Sequence, residues 1–199
     1  MTIRSGRWMT AMAAVAAFGA AAAAGQGAGG VQGTVTVTGG RTNADVVVSL
    51  VKEGLPLVAP PAPLEMDQKA LKFTPHVLAV VRGTTIRFLN NDIEDHNVYS
   101  PEGGYNLGTW PPGQTRDQVF DKTGVYTQLC RVHPDMEAFI VVLDTPYFAV
   151  TDAAGRFTIA DVPPGSYTLT TWGKRLKKVE RPVAVAAGAP AHVDLAVTR

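Results

Sequence analysis

The single cysteine of this 199-residue chain, Cys130, opens the run CRVHPDM, with His133 three residues on and Met136 three further. Upstream stands His96, followed by Asn97. Together they supply one thiolate, two imidazoles and one thioether, the donor set of a mononuclear type 1 (blue) copper site. With only 4 His and 5 Met in the chain, both spacings would fall beside a given cysteine by chance about once in two thousand. A trigonal plane of two nitrogens and one sulfur with a weak axial thioether is a compromise between the geometries that the two copper valences prefer, so an electron can come and go with little rearrangement. An enzyme is not expected. Four protein ligands leave no open position for substrate, and catalytic metals keep one; a multicopper oxidase or copper nitrite reductase also needs more histidines than the 4 present.

The N-terminus bears on how such a site is supplied. Arg4 and Arg7 stand without an acid ahead of an Ala-dominated apolar stretch from Trp8 to Ala24, and GQGAGG follows. This reads as a signal peptide over residues 1–24, cleaved after the small-residue run ending at Ala24, with the mature protein periplasmic and without a stable membrane anchor. No Arg-Arg pair is present, which favours the general export route. The 18 Lys and Arg, less those two, stand close to the 17 Asp and Glu, so no concentrated basic surface for nucleic acid is expected. A lone cysteine cannot pair within its own chain, and an exposed thiol in an oxidising compartment would be oxidised. Cys130 is therefore either buried and inert or held by metal, and its neighbours favour the metal.

Strands and turns must position these residues, since nothing beyond the N-terminal stretch has a helical period. VQGTVTV alternates, Val31, Val35 and Val37 on one face and Gln32, Thr34 and Thr36 on the other. A second strand, Val46 to Val51, precedes the Pro-rich crossing GLPLVAPPAPLEM, read as a linker. Short β-rich pieces separated by Pro-Pro-Gly and Thr-Gly turns then run to Cys130. Five more strands are expected at Tyr147 to Thr151, Arg156 to Ile159, Ser166 to Trp172, Val179 to Val185 and His192 to Val197. Two strands alone are marginal in water, whereas two plus five make a small sandwich. The expected organisation is all-β: residues 31–56 plus 146–199 form a discontinuous seven-stranded sandwich, and a copper domain at 62–145 is inserted into it.

The middle segment resembles the cupredoxins of the plastocyanin and amicyanin type. The residues that carry the likeness are Phe73, Pro75, Gly83 before TTIRFLNND, His96-Asn97-Val98, Pro112-Gly113, Gly124-Val125-Tyr126 and Cys130. The resemblance implies a Greek-key sandwich, one type 1 copper ion on His96, Cys130, His133 and Met136, Asn97 tying two loops together, and an exposed His133 edge as electron port. The ligand loop is similar to the short one of amicyanins, except that Val132 stands where they have proline. This position keeps an N–H that, on reaching the Cys130 sulfur, would stabilise charge there. Pro134 biases His133 towards an extended backbone. The flanks, through TDAAGRFTIADVPPGSYTLTTW, resemble a carboxypeptidase-regulatory or transthyretin-like sandwich. The whole chain is similar to exported methylamine-utilisation or plastocyanin-like proteins.

These readings converge on a single-electron carrier whose partner is a redox protein such as a c-type cytochrome or a dehydrogenase. The alternative is a periplasmic copper-binding carrier, or a binding module in which copper is auxiliary. Asp92, Glu94, Asp95, Asp135 and Glu137 flank the two histidines and are either solvated loop charges or a patch that steers a basic partner. His76, expected in a strand, and His192 are read as structural or solvent-facing, and Met66 as packing. Trp110 and Trp172 are read as core, with a docking surface as the other reading.

Overall fold

The computed structural model describes residues 27–199; the expected signal segment lies outside them. Two strands come first, β1 (Gly29–Thr38) and β2 (Val47–Val51). Past the Pro-rich crossing come β3 (Leu64–Lys69), β4 (Lys72–Thr74), β5 (Val77–Val81), β6 (Thr84–Asn90), β7 (His96–Ser100), β8 (Tyr105–Trp110), β9 (Thr115–Phe120), β10 (Gly124–Leu129) and β11 (Glu137–Leu143). The remainder is β12 (Phe148–Val150), β13 (Arg156–Val162), β14 (Gly165–Trp172), β15 (Glu180–Val185), β16 (Pro190–His192) and β17 (Leu195–Thr198). Among the described residues there is no helix, so none is long and apolar enough to cross a membrane.

The strands form two sandwiches, the first made from the two ends of the described chain. β1 pairs with β13 on one side and with β16 and β17 on the other, while a second sheet runs β12-β2-β14-β15. Their inner faces bury Val31 and Val35 of β1, Val48 and Leu50 of β2, Phe157 and Ile159 of β13, Leu169 of β14 and Val197 of β17 in one core. The expected alternation along β1 is observed: Val31 and Val35 are buried and Val37 half-buried, while Gln32 and Thr36 are exposed and Thr34 half-buried. The last expected strand is split into β16 and β17. At the break, the Val193 N–H donates to Gln32 O at 2.8 Å and the Thr34 N–H to Asp194 Oδ1 at 2.9 Å. A carboxylate thus takes the place of one ladder acceptor. Gly33 is required opposite it, since a Cβ would lie 1.9 Å from Val193 O.

The middle strands make the second sandwich, from sheets β5-β11-β10-β7-β8 and β4-β3-β6-β9. β3 runs parallel to β6 and β5 parallel to β11, so the chain crosses between sheets in the Greek-key manner. β3 begins inside the stretch read as linker. Its Met66 is fully buried, with Phe88, Trp110, Phe120, Cys130 and Met136, in the core of this sandwich.

Two apolar runs join the halves. β11 reads EAFIVVL and is buried on both faces, the pattern of a strand covered on two sides. Ala138, Ile140 and Val142 enter the core that holds Cys130, while Phe139 and Val141 pack with Val77, Ala79 and Val47 in a second layer that also takes Phe148, Val150 and Trp172. β2 is two-faced in the same way, Val47 in that layer and Val48 and Leu50 in the opposite core. His76 is therefore not a strand residue. It lies in the bend before β5 and reaches across the junction to Asp45, Nδ1 to Oδ2 at 2.7 Å. Lys174 pairs with Glu137 across the same seam and lies over the Phe139 ring.

Phe139→Ala, at a position only 6 % exposed, is expected to cost about 3–5 kcal/mol. Urea unfolding followed by tryptophan fluorescence checks this, because Trp172 lies 5.5 Å from Phe139, ring to ring.

Candidate metal centre

The two ligand loops meet at one end of the sheet that contains β7, β8 and β10. His96 is the first residue of β7 and pairs with Trp110, the last of β8. Cys130 follows the last residue of β10, and Leu129 pairs with Tyr99 of β7. The chain then turns sharply. The Met136 N–H donates to His133 O at 3.0 Å, so His133 and Met136 are the first and last residues of a β-turn with Pro134 at its second position, where a fixed φ suits it. The His-x-x-Met spacing is thus the footprint of one turn.

His96, Cys130 and His133 come together, each offering one donor atom, all within 4.8 Å of one another. Cys130 Sγ is 3.9 Å from His96 Nδ1, and His96 Nδ1 is 3.1 Å from His133 Nδ1. An ion held at about 2.0 Å by nitrogen and about 2.3 Å by sulfur spans donor atoms up to roughly 4 Å apart, so both spacings fit a single ion. His96 and Cys130 are 0 % and 2 % exposed, and His133 is half-buried. Met136, 1 % exposed, lies in the same core cluster as Cys130.

Asn97 connects the loops. Its N–H donates to Cys130 Sγ at 3.4 Å, its Oδ1 accepts the Arg131 N–H at 3.4 Å, and its Nδ2 donates to Asn106 Oδ1 and Gly108 O at 2.8 and 2.7 Å. An N–H that reaches the sulfur is thus that of Asn97. Val132 lies at the surface, 44 % exposed. Arg131 lies over the Tyr99 ring, 4.9 Å from its centroid, and holds that bend against β7.

Two of the flanking acids are not free surface charges. Glu137 pairs with Lys174. Asp92 turns inward and places Oδ2 3.0 Å from His96 Nε2, with its own side chain 8 % exposed. Oδ2 also accepts the Leu71 N–H at 2.8 Å, and Oδ1 the Ile93 N–H at 2.9 Å. These donors, the Leu71 N–H first, then His96 and Ile93, lower the Asp92 pKa from 3.8 to about 2. In the sequence Asp92 is one of several acids in NNDIEDH, and nothing in that string singles it out. Trp110 is fully buried and Trp172 packs at the junction of the sandwiches, so both serve the core.

Residues 62–143 match the family model described as copper binding proteins of the plastocyanin/azurin family, and residues 134–198 match that of the carboxypeptidase regulatory-like domain. The chain therefore carries a plastocyanin/azurin-type copper-binding domain and a carboxypeptidase regulatory-like domain. Among solved structures it is similar to a purple cupredoxin from Nitrosopumilus maritimus, at 24% identity over 40% of this chain and 99% of that one, with a TM-score of 0.38. A reduced amicyanin mutant is 22% identical over 48% and 99%, TM-score 0.39. A copper-containing nitrite reductase from Thermus scotoductus is 24% identical over 47% of this chain but only 25% of its own, TM-score 0.40.

A carboxylate whose pKa falls on folding contributes stability above its unfolded pKa and loses it as pH drops through the folded value. The metal-free protein is thus expected to lose on the order of 2 kcal/mol between about pH 5 and pH 2 through Asp92. Urea unfolding across that range should show this component in the parent and not in Asp92→Asn.

Proposed function

We propose that this protein is an exported type 1 copper protein that carries single electrons between redox partners. The observation that carries the reading is the convergence of one cysteine sulfur and two imidazoles, two of the three residues buried, with a thioether residue closing the same turn. Copper bound by His96, Cys130, His133 and Met136 would supply a one-electron couple. Such a donor set leaves no site for substrate, which favours outer-sphere transfer over catalysis. The scaffold keeps the Cys130 sulfur from water and oxidant. The Asn97 N–H would offset its charge as thiolate, and the β-turn through Pro134 holds His133 ready.

His133 is the half-buried member of a trio whose other two are buried, so we assign it the electron port. Ile93 and Val132, 88 % and 44 % exposed, stand on the two ligand loops and offer an apolar rim for a partner such as a c-type cytochrome or a dehydrogenase. With Asp92 and Glu137 engaged, Glu94, Asp95 and Asp135 are the exposed acids of those loops that can steer a basic partner. Export to the periplasm rests on the N-terminal pattern. In this reading the copper domain spans residues 62–145 within a sandwich of 31–56 and 146–199.

One equivalent of Cu(II) is expected to give intense blue or green thiolate-to-copper absorption that Cys130→Ser abolishes. Met136→Leu should keep the colour and raise the reduction potential. A colourless parent complex would overturn the assignment. In stopped-flow, oxidation of the reduced protein by a basic cytochrome should slow as salt rises, and slow at low salt when Glu94, Asp95 and Asp135 are made amides, with the absorption unchanged. Rapid loss of copper to a metal-free acceptor, without fast redox cycling, would instead support the carrier reading.

A further inference from the structure

Asp92 and its supports form a chain of contacts that ends at a ligand atom. β3 and β4 are joined by the two-residue turn Ala70-Leu71, and both residues have positive φ, 50° and 56°. Such turns normally use Asn, Asp or Gly at these positions. An Ala-Leu pair in this conformation is strained and persists where its surroundings require it. What the turn delivers is the Leu71 N–H, which donates to Asp92 Oδ2 at 2.8 Å. The other end of the loop is equally constrained. The Asp92 N–H donates to Asn90 Oδ1 at 3.1 Å, and Asn90 Nδ2 donates to Glu94 O and Trp110 O at 2.9 and 3.0 Å. A fixed carboxylate therefore meets a fully buried imidazole at 3.0 Å.

We propose that Asp92 is the positioning residue of this centre: its carboxylate holds the His96 proton on Nε2, so that Nδ1 faces Cys130 and His133 as a lone pair before any metal arrives. The chemistry follows from the atoms. An ionised carboxylate only accepts, so the imidazole nitrogen beside it must carry hydrogen. A neutral ring has one N–H, and the other nitrogen is then a donor for metal. A carboxylate behind a ligating histidine also makes it more basic. Its negative charge favours the more highly charged copper ion, so it biases the couple towards Cu(II). The inference rests on reading the trio as a copper site for its functional meaning, but the tautomer can be measured without metal.

The test has two arms. In metal-free protein at neutral pH, two-bond nitrogen–proton NMR of the His96 ring is expected to show a protonated Nε2 and a bare Nδ1. A ring protonated on Nδ1 alone, or on both nitrogens as in a simple buried ion pair, overturns the proposal whether or not Asp92 variants fold. In the copper-loaded protein, Asp92→Asn is expected to keep the blue absorption while weakening Cu(II) binding about tenfold more than Cu(I) binding, within the range known for such partners. That ratio equals a rise of about 59 mV in a one-electron potential. An unchanged potential with unchanged relative affinities overturns the role of Asp92 and leaves the copper reading intact. A parent protein that forms no thiolate–copper complex overturns the copper reading instead, and the NMR result still decides the placement of the proton.

Discussion

Two imidazole nitrogens 3.1 Å apart beside a cysteine sulfur bring three candidate metal donors to one point in the fold. Keeping that cluster assembled is the constraint on which this structure depends. His96 is held from behind by Asp92 and from the side by its pairing with Trp110. Cys130 is held by the end of β10 and by the Asn97 N–H. His133 and Met136 are held by one β-turn. Loops that converge on one point need rigid strands behind them, and the core around Phe88, Trp110 and Ile140 supplies that support.

The strand that follows the ligand loop carries the second constraint. β11 is covered on both faces, so the support of the site continues into the junction with the other sandwich without a change of element. Ala138 and Ile140 face the copper-domain core and Phe139 and Val141 face the neighbour. The sandwich made from the two ends of the described chain is therefore packed against the back of the sandwich that holds the site. Glu137, one residue past Met136, is itself paired with Lys174 of that first sandwich.

Much of this was legible in the sequence because it is local. The Cys130, His133 and Met136 spacing is the span of a turn, the alternation in β1 is the period of a half-covered strand, and the Gly-Pro punctuation marks where strands stop. What escaped was set by contacts between distant segments. Leu71 and Asp92 meet through a turn whose residues do not advertise it. An N–H donor to the sulfur comes from Asn97, its neighbour in space and not in sequence. The start of β3 was hidden by the prolines before it. The even apolar runs of β2 and β11 mark strands covered on both faces, and what covers them lies far away in sequence.

The described chain begins and ends in adjacent parallel strands, Val35 of β1 opposite Leu195 of β17. A pull that separates the two ends would load that ladder in shear, with its hydrogen bonds sharing the force. The sandwich of the middle strands leaves after β2 and the chain returns at Thr145, whose hydroxyl donates to Leu50 O at 2.6 Å, so that sandwich lies outside the load path. Tension between those two strands would be absorbed by the β1–β17 ladder before it could stretch the distance between His96 and Cys130.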